Sequence, residues 1–364
     1  MIIDLFSTQP QFFILVSFMI GLACMPVVRK IAREKHFVVK PNKRTSHVGE
    51  IPNIGGLDIC FSFLMAYLLF EVDTSLVRQS QFILIGVLTI TMIGFTDDIL
   101  DLSPLSKLMG ETLAGIALIG FADIRLTNLH GFLGIGEIGI VPSYLLSFFV
   151  LIVIVNAINL IDGIDGLASG LGILYCACFG VYFHLCGHLH WAAFAYSMIG
   201  SLAVFFIYNV FGRKKRKIFM GDSGSLLLGY ILTAFVFHFC EINACHEVPE
   251  TLHCKAAPAV AICILSIPLF DTLRVMLTRI KHRQSPFLPD KNHIHHLLLR
   301  VGLNHLQTTC LLLSVSLMFV GLAYVGRNWS ILLLIGVNLC LCILLTWILW
   351  RIVDNKTSKQ NDQH

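Results

Sequence analysis

Residues 141–166 read Val141-Pro-Ser-Tyr-Leu-Leu-Ser-Phe-Phe-Val-Leu-Ile-Val-Ile-Val-Asn156-Ala-Ile-Asn159-Leu-Ile-Asp162-Gly163-Ile-Asp165-Gly166. The first part is an uncharged apolar run long enough to cross a bilayer, which takes about 20 helical residues. In lipid every backbone polar group must be satisfied within the segment, so such a run is an α-helix. Its last turn and the turn beyond carry two amides and two carboxylates. Ionisable groups at that depth are costly, and function is their usual reason. One stretch thus holds both a membrane span and a cluster of ligand-type side chains.

The same pattern recurs outward from it. Eleven apolar blocks lie near 11–28, 53–70, 81–96, 104–122, 141–160, 167–186, 191–211, 223–240, 256–276, 307–325 and 330–350. Of the 364 residues, 56% are hydrophobic and 13% charged, against about 25% charged in ordinary soluble domains. This composition excludes a cytosolic enzyme, a disordered chain and a disulfide-stapled secreted scaffold. Long blocks instead of alternation argue against an outer-membrane barrel. The expected fold class is all-α: a polytopic integral membrane protein of about 11 transmembrane helices. Residues 1–353 are expected to form a single transmembrane catalytic domain and 354–364 a disordered cytoplasmic tail. The N-terminus has neither the basic segment nor the cleavage site of a signal peptide.

Charge gives the direction. Eleven spans sort 22 of the 26 Lys and Arg residues to one face and leave only Arg78, Arg125, Lys255 and Arg327 on the other. By the positive-inside rule the N-terminus is outside and the C-terminus cytoplasmic. A net charge of +4 is too mild to argue for nucleic acid. Most of the 12 cysteines sit inside apolar blocks and read as small hydrophobes. Cys240, Cys245 and Cys254 share a polar loop, which leaves a Cys245–Cys254 disulfide open.

The carboxylates carry more information. Asp97, Asp98, Asp101, Asp162, Asp165, Asp222 and Asp290 all fall on the basic face. Helix capping would explain Asp222 or Asp290, but not three acids within Asp97-Asp98-Ile-Leu-Asp101. On a helix Asp97 and Asp101 share a face, while Asp98 points about 100° away from Asp97. Gly163 and Gly166 let backbone approach a ligand closely. So many carboxylates on one surface call for a divalent cation, and hard oxygen ligands favour Mg²⁺ or Mn²⁺.

Cations sit on the same face. The run Arg213-Lys214-Lys215-Arg216-Lys217 reads first as a topology or anionic-lipid signal. Lys107 is less ordinary, lying inside an apolar block near the acids. In Asp290-Lys291-Asn292-His293-Ile294-His295-His296, His293 and His296 are i,i+3 and would share a helical face. No Cys or Glu stands at zinc-site spacing, so phosphate binding suits the basic surroundings better. Asp271 and Arg274 are either a buried structural pair or part of this site. Gly134-Ile-Gly136-Glu-Ile-Gly139 matches the dinucleotide fingerprint but lies between spans, away from every acid. It lacks the strand–helix context the fingerprint needs and reads as a turn or short hairpin.

Asp97-Asp98-Ile-Leu-Asp101, Asn156-Ala-Ile-Asn159-Leu-Ile-Asp162-Gly-Ile-Asp165-Gly, Phe219-Met-Gly-Asp222-Ser-Gly-Ser and His293-Ile-His295-His296, in this order, resemble the polyprenyl-phosphate N-acetylhexosamine-1-phosphate transferases. The resemblance covers nearly the whole chain. It implies an enzyme of a bacterial inner membrane that works at the cytoplasmic face. The implied partners are UDP-GlcNAc, undecaprenyl phosphate and membrane lipid. The implied reaction gives undecaprenyl-PP-GlcNAc and UMP, the first membrane step of a cell-surface polysaccharide of the O-antigen or enterobacterial common antigen type. The implied metal is Mg²⁺, held by Asp222 with Asn159. Asp97 and Asp98 are the implied catalytic pair, orienting or deprotonating the lipid phosphate. Lys107 and the loop of His293, His295 and His296 would neutralise the pyrophosphate. Phe219 and Asp165 would contact the uracil, with Asn156 and Asp162 completing the substrate site.

The phospho-MurNAc-pentapeptide branch of the family is the alternative. It usually has ten spans and three adjacent histidines, where this chain places Ile294. A transporter is the rival class, but transporter sites gather at the bilayer midplane and these acids gather at one face. The small residues Gly166, Ser169, Gly170 and Gly172 permit close helix packing, within the chain or across a homodimer.

Overall fold

The computed structural model describes residues 9–39, 51–69, 77–212, 216–245, 247–283 and 292–361. Arg213, Lys214, Lys215, Asp290 and Lys291 lie outside the described residues. The chain runs through α1 (Phe12–Glu34), α2 (Gly55–Tyr67), α3 (Val77–Leu100), α4 (Pro104–Gly115), α5 (Ile140–Ile161), α6 (Leu167–Leu185) and α7 (Leu189–Val210). It continues through α8 (Gly221–Ala244), α9 (Ala257–Ile264), α10 (Ser266–Lys281), α11 (Ile294–Val301), α12 (His305–Gly326) and α13 (Ile331–Asn361). A π-helical turn over Ile116–Phe121 extends α4. Two small antiparallel ribbons complete the described elements: β1 (Val38–Val39) with β2 (Ile51–Pro52), and β3 (Asn128–Phe132) with β4 (Ile135–Glu137).

The all-α, multi-pass architecture follows directly. Each apolar block of the sequence falls on a helix. Eight described helices are long and apolar enough to cross a membrane, and nine if α9 and α10 form one span bent by 81°. The remaining two blocks are shorter: α2 has 13 residues and α4 has 12 before its π turn. Polar residues set these limits. Lys107 and Glu111 lie within α4, and Ser103 caps it with its hydroxyl accepting from Ser106 N at 3.2 Å.

The bend at Leu265 has a local cause. Pro268 offers no N–H to the carbonyl of Ile264. Ser266 Oγ turns back to the carbonyls of Ile262 and Cys263, at 3.0 and 2.8 Å, and meets Asn338 Oδ1 of α13 at 2.8 Å.

The core is centred on α8. Its apolar window is 89% buried, against 22% for α1 and 28% for α13. Glycine makes the close approach possible. A Cβ on Gly56 of α2 would overlap the backbone of Gly224, one on Gly94 of α3 the backbone of Asp222 and Ser223, and one on Gly229 the backbone of Val155. The outer helices present Leu15, Leu145, Phe149 and Trp347 outward, all more than half exposed. Such an apolar exterior belongs in lipid.

Three expectations change. The segment 354–364, expected as a disordered tail, is helical as far as Asn361, and residues 362–364 lie outside the described ones. The apolar stripe of α13 continues through buried Leu349 and Val353, and Lys356 Nζ donates to the Val301 carbonyl at 2.6 Å. Cys245 and Cys254 are free thiols, Cys254 being buried, so no disulfide joins them. The small residues of α6 are used inside the chain: Gly166 meets Phe206 and Val210, Gly170 meets Leu313, and Gly172 meets Leu202 and Leu228. That stripe therefore gives no argument for a dimer. The Gly134–Gly139 stretch forms the β3–β4 hairpin, with Gly131 and Gly134 at positive φ.

Candidate active site

Three networks meet at one end of the bundle. The first surrounds the start of α8. Gly221, at φ 71°, swings the chain into the helix at a point where a side chain would strike Asn53 and Asp98. The Asp98 carboxylate then caps α8 from a neighbouring helix. Its Oδ1 accepts from Asp222 N at 2.7 Å and from Asn53 Nδ2 at 2.9 Å. Its Oδ2 accepts from Ser223 N at 3.1 Å and Ser223 Oγ at 2.9 Å. A carboxylate at a helix N-terminus is favourable, because unpaired N–H groups and the dipole both point at it.

This cap aims Asp222 into a polar knot. Lys107 Nζ donates to Asp222 Oδ2 at 2.7 Å and to Asn159 Oδ1 at 3.3 Å, and stands 3.1 Å from Asp97 Oδ2. Asn159 Nδ2 donates to Asp222 Oδ1 at 2.7 Å and to Ser225 Oγ at 2.8 Å. Asp97 Oδ1 accepts from Leu102 N at 2.7 Å. One ammonium therefore faces two carboxylates and an amide oxygen contributed by α3, α5 and α8. Among the described residues no three His, Cys, Asp or Glu side chains are placed to share an ion. The set here is two carboxylates and one amide, hard oxygens of the kind Mg²⁺ takes alongside water and phosphate. The donor chemistry fits that ion. One turn back on α5, Asn156 Nδ2 donates to Glu111 Oε2 at 2.7 Å.

The second network is built on the turn between α5 and α6. Asp165 Oδ2 meets Lys217 Nζ at 2.5 Å and His305 Nδ1 at 3.0 Å, and the Asp165 carbonyl accepts from Thr309 Oγ1 at 2.8 Å. Lys217 also lies over the Phe219 ring, 5.8 Å from its centroid. Asn209 fastens this turn to the segment before α8, accepting from Gly166 N at 2.7 Å and donating to the Ile218 carbonyl at 2.8 Å. Burial raises the Asp165 carboxyl, but His305 and Lys217 outweigh it and hold the group below the ordinary Asp range. Among the described residues Asp162 has no such partners. Burial first, then the carboxylates of Asp222, Asp98 and Asp165, push it up to about 7.

The third network holds the histidine loop. Asp271 Oδ2 meets His293 Nδ1 at 2.8 Å, while its Oδ1 accepts from Arg274 Nη2 at 2.8 Å and Ile294 N at 3.0 Å. Arg274 also donates to the Asn292 carbonyl. The bend at Leu265 brings Asp271 to this place. His293 is the N-cap of α11 and not part of it, so His293 and His296 do not share a helical face as the spacing suggested. The rings instead form a ladder: His293 lies parallel to His295 at 5.7 Å, and His296 is 4.2 Å from His295. His295 is buried, neither ring nitrogen is hydrogen-bonded among the described residues, and a Cβ on Gly163 would collide with it. Burial first, then His296, pushes its imidazole down to about 3, so it is neutral near pH 7.

Asp97, Asp98, Lys107, Asn159 and Asp222 therefore converge. Asp165 and Phe219 are linked through Lys217, and Gly163 joins their turn to His295. Asn156 faces Glu111, one turn behind the knot. Several site residues carry no mark in the sequence. Asn53 and Asn209 are ordinary polar residues there, Lys217 is hidden in a basic run, and the pairings of His305 with Asp165 and of His293 with Asp271 span 140 and 22 residues.

Residues 80–239 match the family model described as Glycosyl transferase family 4. The chain is also similar, over most of its length, to proteins named undecaprenyl-phosphate alpha-N-acetylglucosaminyl 1-phosphate transferase. That of Yersinia pestis is 30% identical over 85% of this chain and 82% of its own. That of Escherichia coli K12 is 30% identical over 89% of this chain and 88% of its own. That of Haemophilus influenzae is 31% identical over 87% of each.

Proposed function

The chain belongs to glycosyl transferase family 4, and on that premise we propose that it transfers GlcNAc-1-phosphate from UDP-GlcNAc to undecaprenyl phosphate. The products are UMP and undecaprenyl-PP-GlcNAc, a lipid-linked sugar on which a cell-surface polysaccharide of the O-antigen or common-antigen type is built. The convergence of Asp97, Asn159, Asp222 and Lys107, together with the linked side chains of Asp165, Lys217 and Phe219, carries this reading. In this reading the first group takes the diphosphate charge and the second takes the flat base. The protein is then a multi-pass protein of a bacterial inner membrane, with its N-terminus outside and this site on the cytoplasmic face, where a soluble nucleotide sugar and a lipid phosphate can both reach it.

An oxygen of the lipid phosphate attacks the phosphorus that bears GlcNAc, and the bond to UMP breaks. One phosphoanhydride forms as another is cleaved. A phosphate monoester has a second pKa of about 6, so the attacking oxygen is already ionised near pH 7. Positioning and charge neutralisation dominate such a step. Asp222, Asn159 and Asp97 would hold Mg²⁺ or Mn²⁺ through their oxygens, and the ion would offset the diphosphate charge. Lys107 adds a fixed positive charge at the same point. Asp98 acts through the α8 start that it caps, keeping Asp222 in place. His293, oriented by Asp271, and His296 face the phosphates with Lys107. Neutral His295 contributes a donor or acceptor and no charge.

The carboxylate oxygens of Asp98 each accept two hydrogen bonds from Asn53 and the start of α8, a structural cap, and we take the reaction as direct displacement. UMP should then not exchange into UDP-GlcNAc without lipid acceptor. The reaction itself is tested by incubating purified protein with undecaprenyl phosphate, Mg²⁺ and either UDP-GlcNAc or UDP-MurNAc-pentapeptide. A lipid-extractable product from UDP-GlcNAc alone supports the reading. A product from the pentapeptide donor alone would move the protein to the other branch.

A further inference from the structure

His305 lies outside the four motifs, yet it touches the carboxylate assigned to the uracil. It is the first residue of α12, and the start of that helix is fixed by a reciprocal capping pair. Asn304 Oδ1 accepts from Gln307 N at 2.8 Å, and Gln307 Oε1 accepts from Asn304 N at 3.0 Å. Thr309 is one turn on and so on the same face. The two side chains hold Asp165 at two points, His305 at the carboxylate and Thr309 at the carbonyl. A carboxylate only accepts, so the Nδ1 facing it carries the proton.

The hydrogen bonds on Asp165 are uneven. Lys217 and His305 both take Oδ2. No described residue takes Oδ1, and the side chain keeps 16% of its surface exposed. The oxygen left over lies on the same carboxylate whose Lys217 partner covers the Phe219 ring. A carboxylate with an open oxygen, tied through Lys217 to an aromatic ring, suits a nucleobase that donates an imide N–H.

We infer that His305 is a positioning residue for the nucleotide donor. By fixing Oδ2 together with Lys217, it fixes the rotation of the Asp165 carboxylate and presents Oδ1 to the base. The inference rests on the reading that Asp165 meets the uracil. Lys217 alone would leave the carboxylate free to turn about a single flexible side chain. The ring on a capped helix start removes that freedom.

Steady-state kinetics on the full chain in lipid nanodiscs test this, with unfolding temperatures measured alongside. His305→Ala should raise KM for UDP-GlcNAc and the inhibition constant of UMP together by about tenfold, the scale of one hydrogen bond to a charged group. Its kcat and its KM for undecaprenyl phosphate should stay within about twofold. His305→Asn, which places an amide N–H near the position of Nδ1, should recover most of the loss. If His305→Ala lowers kcat at unchanged donor KM, weakens both substrates alike, or matches the parent, the inference is wrong. The same holds if Asn gives no recovery. Asp165→Asn separates the two layers. If it raises the UMP constant while His305→Ala does not, only the inference fails. If it leaves that constant unchanged, the uracil reading fails with it.

Discussion

Asp222 is the residue on which the site turns. Its two oxygens meet Lys107 and Asn159, and its backbone N–H is held by Asp98. Replacing it by Asn removes the charge and one acceptor at the point where diphosphate must bind. Asp222→Asn should therefore lower kcat by two to three orders of magnitude, the scale on which a preorganised electrostatic group acts. Added Mg²⁺ should rescue it poorly. Asp101 is exposed at the end of α3, and Asp101→Asn should stay within about threefold of the parent. A near-normal turnover of Asp222→Asn would remove the metal assignment. Asp162 makes a second prediction. Its carboxyl is raised to about 7 by burial and by neighbouring carboxylates. The stability it contributes is present below the ordinary Asp range and is lost as pH rises through about 7. With divalent ions chelated, Asp162→Asn should raise the unfolding temperature over the parent by more at pH 8 than at pH 5. An equal difference at both pH values would contradict the raised carboxyl. At this scale the sequence was a good guide to the acids, because carboxylates are scarce in an apolar chain. It was silent on His305, Asn209 and the Asp271–His293 pair, because pairing between distant side chains leaves no local pattern.

At the scale of elements, the site depends on how closely α8 approaches α2 and α3. Gly94 touches the backbone of Asp222 and Ser223, and a methyl there must push the start of α8 away. Gly94→Ala should lower kcat by at least about tenfold through displacement of Asp222, with an overpacking cost of about 1–3 kcal/mol. At Gly336 of α13 an added Cβ meets nothing within 4 Å, and Gly336→Ala should be silent in both assays. Equal activity of the two variants would show that the α8 start tolerates displacement. Apolar blocks made the helices legible, but not their breaks. The block 256–276 reads as one span, although α9 and α10 meet at 81°. Pro268 is the local cue. The partner that stabilises the turn, Asn338, lies on a helix 72 residues away and is invisible to local reading. The helical end of α13 escaped for the same reason, since its stabilising contact with Val301 is not local.

At the scale of the whole molecule, the few charges do two jobs. The sequence sorts most of the cations to one face, and Asp97, Asp98, Asp165, Asp222 and Asp271 join three networks at one end of the bundle. A C-terminal green fluorescent protein fusion should be bright and a C-terminal alkaline phosphatase fusion inactive, as a cytoplasmic C-terminus requires. The reverse pair of results would turn the molecule over and place the site outside. The central claim is that a phosphosugar moves as one unit onto a lipid phosphate. It is tested most directly with UDP-GlcNAc labelled with ³²P at the phosphorus that bears the sugar, together with undecaprenyl phosphate and Mg²⁺. The account predicts that this label enters the lipid extract in step with UMP release, and that Asp222→Asn abolishes both. Label that stays in the aqueous nucleotide while the lipid gains only sugar would contradict it.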